Sequence, residues 1–301
     1  MPFNDFDVFY RAAQALLYGQ DPYSVYGVYH PFPFFILFLP LAALPIEVAR
    51  IVWTAIELVI FVAIARKRAL YAMLFLPVLL AFLMGQIVMP LLAMFALLRF
   101  QKHQGIAAAW LCLKPQLIGL LLPFVFWRMW KNERRGFVWF GGIWFVLLGA
   151  SFLLQPNWLQ RWFEVSGERL RTPFAPSVWG ALSFLQNPFW IISAGGLSIG
   201  LLAWAYWRAD FDILSVVNLL VNPVIVSYDL TLLTLFIKPL WMWIVLTLLA
   251  WVAFAFAALD WWRGEGLTAF VTLVALLYLV RAKKRRSQVV KPILRESKSA
   301  F

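Results

Sequence analysis

The sequence predicts an all-α, polytopic integral membrane protein, and three observations predict it. Hydrophobic residues make up 63% of the 301-residue chain, well above the roughly 45–50% apolar share of a soluble domain. Charged residues make up only 13%, too few to keep a core of this length in water. The mean hydropathy is +0.81, and the net charge of +12 sits mostly in short clusters at the ends of apolar runs. That is the pattern of cytoplasmic loops, so the basic balance does not point to a nucleic-acid partner. The single cysteine, Cys112, excludes an internal disulfide. His30 and His103 lie far apart, and the acids form no recognisable ligand set, so neither a metal nor a cofactor is expected. The first ten residues, MPFNDFDVFY, are neither a basic nor an apolar leader, so no cleavable signal peptide is expected.

The apolar runs and their breakers place helices at 47–65, 70–84, 86–100, 105–113, 117–128, 136–154, 188–207, 211–224, 229–238, 240–260 and 267–281. This gives about 10–11 membrane helices, short hairpins included. They form one domain over 1–282, opened by an extracytoplasmic and interfacial segment over 1–46 and followed by a basic cytoplasmic tail over 283–301. A perpendicular helix needs about 20 residues to cross roughly 30 Å of hydrocarbon, and several of these are shorter. The nine residues of 105–113 rise only about 14 Å at 1.5 Å each.

Positive charge sets the course of the chain. Basic clusters stand at Arg66-Lys67-Arg68, at Arg99 with Lys102, at 128–135 and at 281–286. Placing all of them in the cytoplasm requires 105–128 to be a re-entrant hairpin with Lys114-Pro115 at its tip. Proline disfavours helix at the residue before it, so a turn there is natural. The same logic makes 211–238 a second hairpin, tipped by Asn222-Pro223 and Tyr228-Asp229. The amino terminus then lies outside. Residues 31–45 are apolar but short and proline-rich, which suits a helix in the outer interface or re-entering it. In 155–176, Trp158, Trp162 and Phe163 alternate with charges, as in an interfacial amphipathic helix. The carboxyl terminus is expected in the cytoplasm, and the membrane is expected to be a bacterial-type plasma membrane.

Four polar islands interrupt the lipid-like chain: Asp5/Asp7, Gly85-Gln86, Lys114-Pro115-Gln116 and Tyr228-Asp229. On this topology all four face outward. Polar groups at membrane depth are costly and usually mark chemistry or transport, so their convergence predicts one polar pocket facing away from the cytoplasm. A transporter or flippase also gathers polar groups at broken helices but is expected to show inverted repeats, and none is visible.

The motifs sharpen this reading. The block DFDVFYRAAQALLYGQDPY over residues 5–23 is followed by YHPFPFF over 29–35 and LPLAALP over 39–45. Then come Gly85-Gln86, LKPQ over 113–116 and NPVIVSYDL over 222–230. In this order they resemble glycosyltransferase family 87, the polyprenyl-phosphate-mannose-dependent α-mannosyltransferases of the GT-C fold. The resemblance implies a membrane hexosyltransferase, with a polyprenyl-phosphate sugar donor, a lipid or glycan acceptor and membrane lipids as its partners. It also implies a helix ahead of the acidic block. The chain begins four residues before Asp5, so this first helix is expected to be missing, and an inactive truncated relative is the other reading.

By resemblance, Asp5 matches the family's essential acid and is the candidate general base. Transfer from a phosphate-linked sugar needs a base for the acceptor proton and cationic support for the leaving phosphate. Lys114, Arg11 and His30 are the candidates for that support. A lysine at membrane depth costs about 2.5–3.5 kcal/mol on insertion scales, which favours a phosphate role for Lys114 over mere snorkelling. Asp7, Gln86, Gln116, Tyr228 and Asp229 complete the expected substrate-binding set, with Tyr228 and Asp229 also able to pair with Lys114 or Arg11.

Overall fold

A computed structural model describes residues 5–169, 176–259 and 264–299. The first four residues, the last two, and parts of the segments predicted at 155–176 and 240–260 lie outside the described residues. In chain order the helices are α1 (Asp5–Leu17), α2 (Pro33–Ala42), α3 (Ile46–Ala65), α4 (Ala69–Ala72), α5 (Leu76–Met84) and α6 (Val88–Arg99). There follow α7 (Gln104–Leu111), α8 (Pro115–Ile118), α9 (Leu122–Asn132), α10 (Arg135–Leu154), α11 (Trp158–Arg169) and α12 (Val178–Ala181). The last are α13 (Phe189–Arg208), α14 (Phe211–Val221), α15 (Leu240–Ala258), α16 (Gly264–Leu267) and α17 (Ala269–Ser299). No strand occurs among the described residues, and the protein is an all-α polytopic membrane protein.

Among the described residues four helical stretches are long and apolar enough to cross a membrane: Ile46–Ala72, Arg135–Leu154, Phe189–Arg208 and Leu240–Ala258. Between 6% and 28% of their apolar windows is buried, so they offer most of their surface to lipid. α14 is the opposite: every residue in it except Asp212 is buried, as expected of a central helix that is apolar all round. On α3 the buried residues are Ala49, Trp53, Glu57, Phe61 and Ala65. This spacing of four makes one inward stripe on an otherwise lipid-facing helix.

Both hairpins form, and single side chains fix their geometry. In the first, Pro115 ends the rising arm, α8 turns the tip, and α9 returns against α7. Its two ends meet where the Gln104 backbone N–H donates to Glu133 Oε2 at 3.0 Å. Its rising arm is pressed against α10: a Cβ built on Gly105 would lie 1.8 Å from the Gly136 carbonyl oxygen, so only glycine fits there.

In the second hairpin α14 rises, and the returning arm is a 3-10 helix over Ser227–Leu235, not the α-helix expected over 229–238. The two ends of this hairpin share one arginine. Arg99 donates to both carboxylate oxygens of Asp212, at 2.8 and 2.9 Å, and to the Leu235 carbonyl. A 3-10 run of nine residues is unusually long, since its hydrogen bonds are poorer. Arginines take up the carbonyls it leaves at its end: Arg68 donates to Thr234 O at 2.9 Å and to Ile237 O at 2.6 Å.

Other departures have equally local causes. The helix predicted over 70–84 is broken into α4 and α5, because Pro77 can enter a helix only in its first turn. The amino-terminal segment holds a regular helix, α1, packed on α2. Trp158, read from sequence as an interfacial anchor, is buried against Phe32 and Phe152, while Phe163 is exposed. The helix predicted over 267–281 continues as α17 to Ser299.

The basic clusters gather at one end of the bundle. There Arg68 meets Ile237, Arg99 meets Asp212, Arg128 donates to Leu98 O at 2.8 Å, and Lys283 pairs with Asp210 and Asp212. Both hairpin tips point to the opposite end.

Candidate active site

The tips are joined by two asparagines of the second hairpin that donate to backbone of the first. Asn218 Nδ2 reaches Leu117 O at 2.9 Å and Asn222 Nδ2 reaches Gln116 O at 2.5 Å. These carbonyls need partners because α8 is a single turn, Pro115–Ile118, and the last carbonyls of a helix have no partner within it. Asn222 also braces its own turn, its Oδ1 accepting from the Val224 N–H at 3.0 Å.

Beside this junction Lys114 and Asp229 form a salt bridge in which the side chains are 1% and 0% exposed. The Lys114 ammonium also lies 4.7 Å from the centre of the Tyr228 ring, within the range of a cation–π contact. The second oxygen of Asp229 accepts from the Val226 N–H at 3.1 Å, which closes the first turn of the 3-10 arm. The sequence left Tyr228 and Asp229 open to pairing with Lys114 or Arg11, and the structure pairs both with Lys114.

A cavity of about 270 Å³ opens next to the joined tips, lined by His30, Gln116, Trp162, Ser166 and Val224 among others. It brings together the loop before α2, the tip of each hairpin and α11. His30 is 9% exposed; its ring stacks on Phe34 at 4.4 Å and meets the edge of Phe9 at 4.9 Å. α11 is held over the cavity by two contacts. Trp162 Nε1 donates to Tyr29 O at 3.0 Å, and Arg161 Nε donates to Asp21 Oδ2 at 3.0 Å. Burial pushes the Asp21 carboxyl up. Hydrogen bonds from Gln155, the Tyr23 N–H and Arg161 outweigh that and hold it below the usual range.

Of the predicted site residues only His30 and Gln116 line this cavity; Asp5, Asp7, Arg11, Gln86, Lys114, Tyr228 and Asp229 are not in its lining. Asp5, half-buried, opens α1. Asp7, two residues further on and so on another face of α1, binds Arg50 through both oxygens, at 3.0 and 2.5 Å, and so anchors α1 to the start of α3. Arg11 is exposed on α1 and is not among the described residues lining the cavity. Gln86 is 1% exposed, and its side-chain amide has no hydrogen-bond partner among the described residues. Gly85 before it takes the left-handed conformation, φ 61°, that ends α5, and its carbonyl accepts from Trp53 Nε1 at 3.1 Å.

Sequence reading placed Asn222 at a tip without giving its side chain a role, and it passed over Asn218 and Glu57. Asn218 and Asn222 lock the tips; for Asn218 an amide in an apolar arm was the available signal. Glu57 is the other residue missed. It is fully buried in the middle of α3, and neither of its oxygens has a hydrogen-bond partner among the described residues. A lone acid inside the run IVWTAIELVIFVAIA was its signal. It lies one turn from Trp53, on the stripe that faces the Gly85-Gln86 turn.

A multi-pass helical membrane protein, with two helical hairpins joined near their tips beside an open cavity, is the class that fold and site define. The chain belongs to glycosyltransferase family 87, whose family model matches residues 28–227, and it is therefore a membrane glycosyltransferase. The matched span includes His30, Gln86, Lys114 and Gln116; Asp5, Asp7 and Arg11 precede it, and Tyr228 and Asp229 follow it. No curated protein and no solved structure is detectably similar to the chain.

Proposed function

We propose that this protein transfers a hexose, mannose, from a polyprenyl-phosphate donor to a lipid or glycan acceptor. The reaction takes place on the extracytoplasmic side of a bacterial-type plasma membrane, with the carboxyl terminus in the cytoplasm. The observation that carries the reading is the buried Lys114–Asp229 pair at the joined tips, beside a cavity lined by His30 and Gln116. In the reaction the acceptor hydroxyl attacks the anomeric carbon and loses its proton to Asp5. The bond from that carbon to the phosphate oxygen breaks, and polyprenyl phosphate leaves. Positive charge at the leaving phosphate stabilises this step more than the ground state. Lys114 supplies it, aimed by Asp229 and Tyr228, with His30 and Gln116 lining the approach. Gln86 is a buried amide available to a sugar hydroxyl, Asp7 keeps α1 and hence Asp5 in place, and exposed Arg11 meets the donor phosphate as it enters from the lipid.

The test is transfer of labelled mannose from a polyprenyl-phosphate donor in membranes containing the Asp5→Asn variant. A base contributes roughly 100- to 10,000-fold, so transfer falls by at least about 100-fold while the protein level stays unchanged. Full activity in that variant removes Asp5 from the mechanism. Uptake of the donor without turnover by the unmodified protein replaces transfer with transport.

A further inference from the structure

A second opening lies at the basic end, far from the hairpin tips. It is a groove of about 650 Å³ between the start of α15 and the part of α17 where the apolar run turns basic. Its walls are Trp241, Met242, Val274 and Leu277, and Arg281 and Arg285 stand at its rim. Trp241 is 57% and Leu277 49% exposed, so the apolar wall is open to whatever surrounds the bundle. Trp241 is fixed by an edge contact with Tyr278, ring centres 5.8 Å apart.

The two arginines lie four residues apart and so share a helix face. Their neighbour Lys283 is taken up by Asp210 and Asp212, whereas neither arginine forms an ion pair among the described residues. α15 is a membrane-crossing helix that starts beside the groove, so the apolar wall lies at acyl-chain depth and the arginines at the headgroup level. A greasy slot capped by two guanidinium groups that form no ion pair among the described residues has the polarity of one amphiphile, a lipid with a negative head. Guanidinium groups favour phosphate oxygens in particular, and basic pockets between helices on the cytoplasmic side are where anionic headgroups bind.

We infer that the α15–α17 groove binds an anionic phospholipid, its acyl chain along Trp241, Met242, Val274 and Leu277 and its phosphate on Arg281 and Arg285. The site is independent of the proposed transfer reaction.

The experiment titrates the purified full chain in detergent micelles with phosphatidylglycerol, phosphatidylcholine or inorganic phosphate. Bound lipid is counted by native mass spectrometry. Phosphatidylglycerol binds in preference to phosphatidylcholine. The Arg281→Gln/Arg285→Gln variant weakens it about 25-fold, from roughly fivefold for each arginine near a headgroup. The charge-matched Lys67→Gln/Lys102→Gln variant, exposed at the same end, changes it less than twofold. Val274→Trp, which fills the groove and keeps every charge, weakens binding at least fivefold. Equal binding of the two lipids overturns the inference, as does equal loss in both glutamine variants or displacement of the lipid by inorganic phosphate. Unchanged binding in Val274→Trp overturns it too. If the double arginine variant fails to give a monodisperse helical protein, Arg281→Gln alone and Val274→Trp decide in the same way.

Discussion

At one end of the bundle Arg68, Arg99, Arg128 and Lys283 each reach a carbonyl or a carboxylate; at the other end Lys114 and Asp229 face each other, fully buried. The basic end has a backbone reason for its charge. A 3-10 arm and several helix ends stop there, and their last carbonyls need donors. The tip end has no such need for a lysine. Asn218 and Asn222 already serve the interrupted backbone, and a buried ion pair adds little net stability after its desolvation cost. The difference teaches that charge at the basic end serves backbone that the hairpins leave unpaired, while charge at the tips is paired within itself, Lys114 with Asp229, as the proposed phosphate role requires.

Breaking the tip pair has the largest expected effect. Asp229→Ala leaves a buried lysine without its carboxylate and lowers stability by about 3–5 kcal/mol, read as a large drop in the melting temperature in detergent. Lys114→Met/Asp229→Leu removes both charges and recovers most of that stability, yet transfer stays lost. If the double variant is both stable and active, the two ends do not differ in kind.

Next comes Arg99→Ala, which strips donors from Asp212 and from the end of the 3-10 arm and costs about 2 kcal/mol. Activity per folded molecule is retained, since Arg99 lies at the end away from the cavity. An inactive but fully folded Arg99→Ala would put function at the basic end as well.

Glu57 sharpens the comparison from the side. Burying a polar group without a hydrogen bond costs free energy, and the Glu57 oxygens make none among the described residues, so Glu57→Met keeps or raises the melting temperature. Loss of transfer in that stable variant would add Glu57 to the working site. The smallest effect is at α11. The folded Asp21 carboxyl titrates below its unfolded value, so its contribution is complete above about pH 3.9 and is lost as pH falls through the lower, folded value. The melting temperatures of the native chain and of Asp21→Asn therefore differ slightly at neutral pH and converge in stronger acid.

Much of this was legible in the chain. Pro115 and Asn222-Pro223 marked the two tips, and the clusters at Arg66–Arg68, Arg99 and 128–135 marked the ends that had to lie together. The 3-10 form of the second arm was not legible, because SYDLTLLTL carries no pattern that separates it from an α-helix. Its end is held by arginines far away in sequence, Arg68 and Arg99, which donate to its carbonyls. Asp7 was legible as an acid near the amino terminus, but its partner, Arg50, was not.

By itself the sequence determined that this is a helical membrane protein, where its two hairpins turn and which polar residues interrupt its apolar runs. Hydropathy, proline and positive charge act residue by residue against the bilayer, so they can be read locally. Only the tertiary structure decided that Lys114 meets Asp229 across 115 residues, that Glu57 turns inward and that His30 and Gln116 share one cavity. Those facts depend on which neighbour each side chain finds, and the energy of a buried polar group is set by that neighbour.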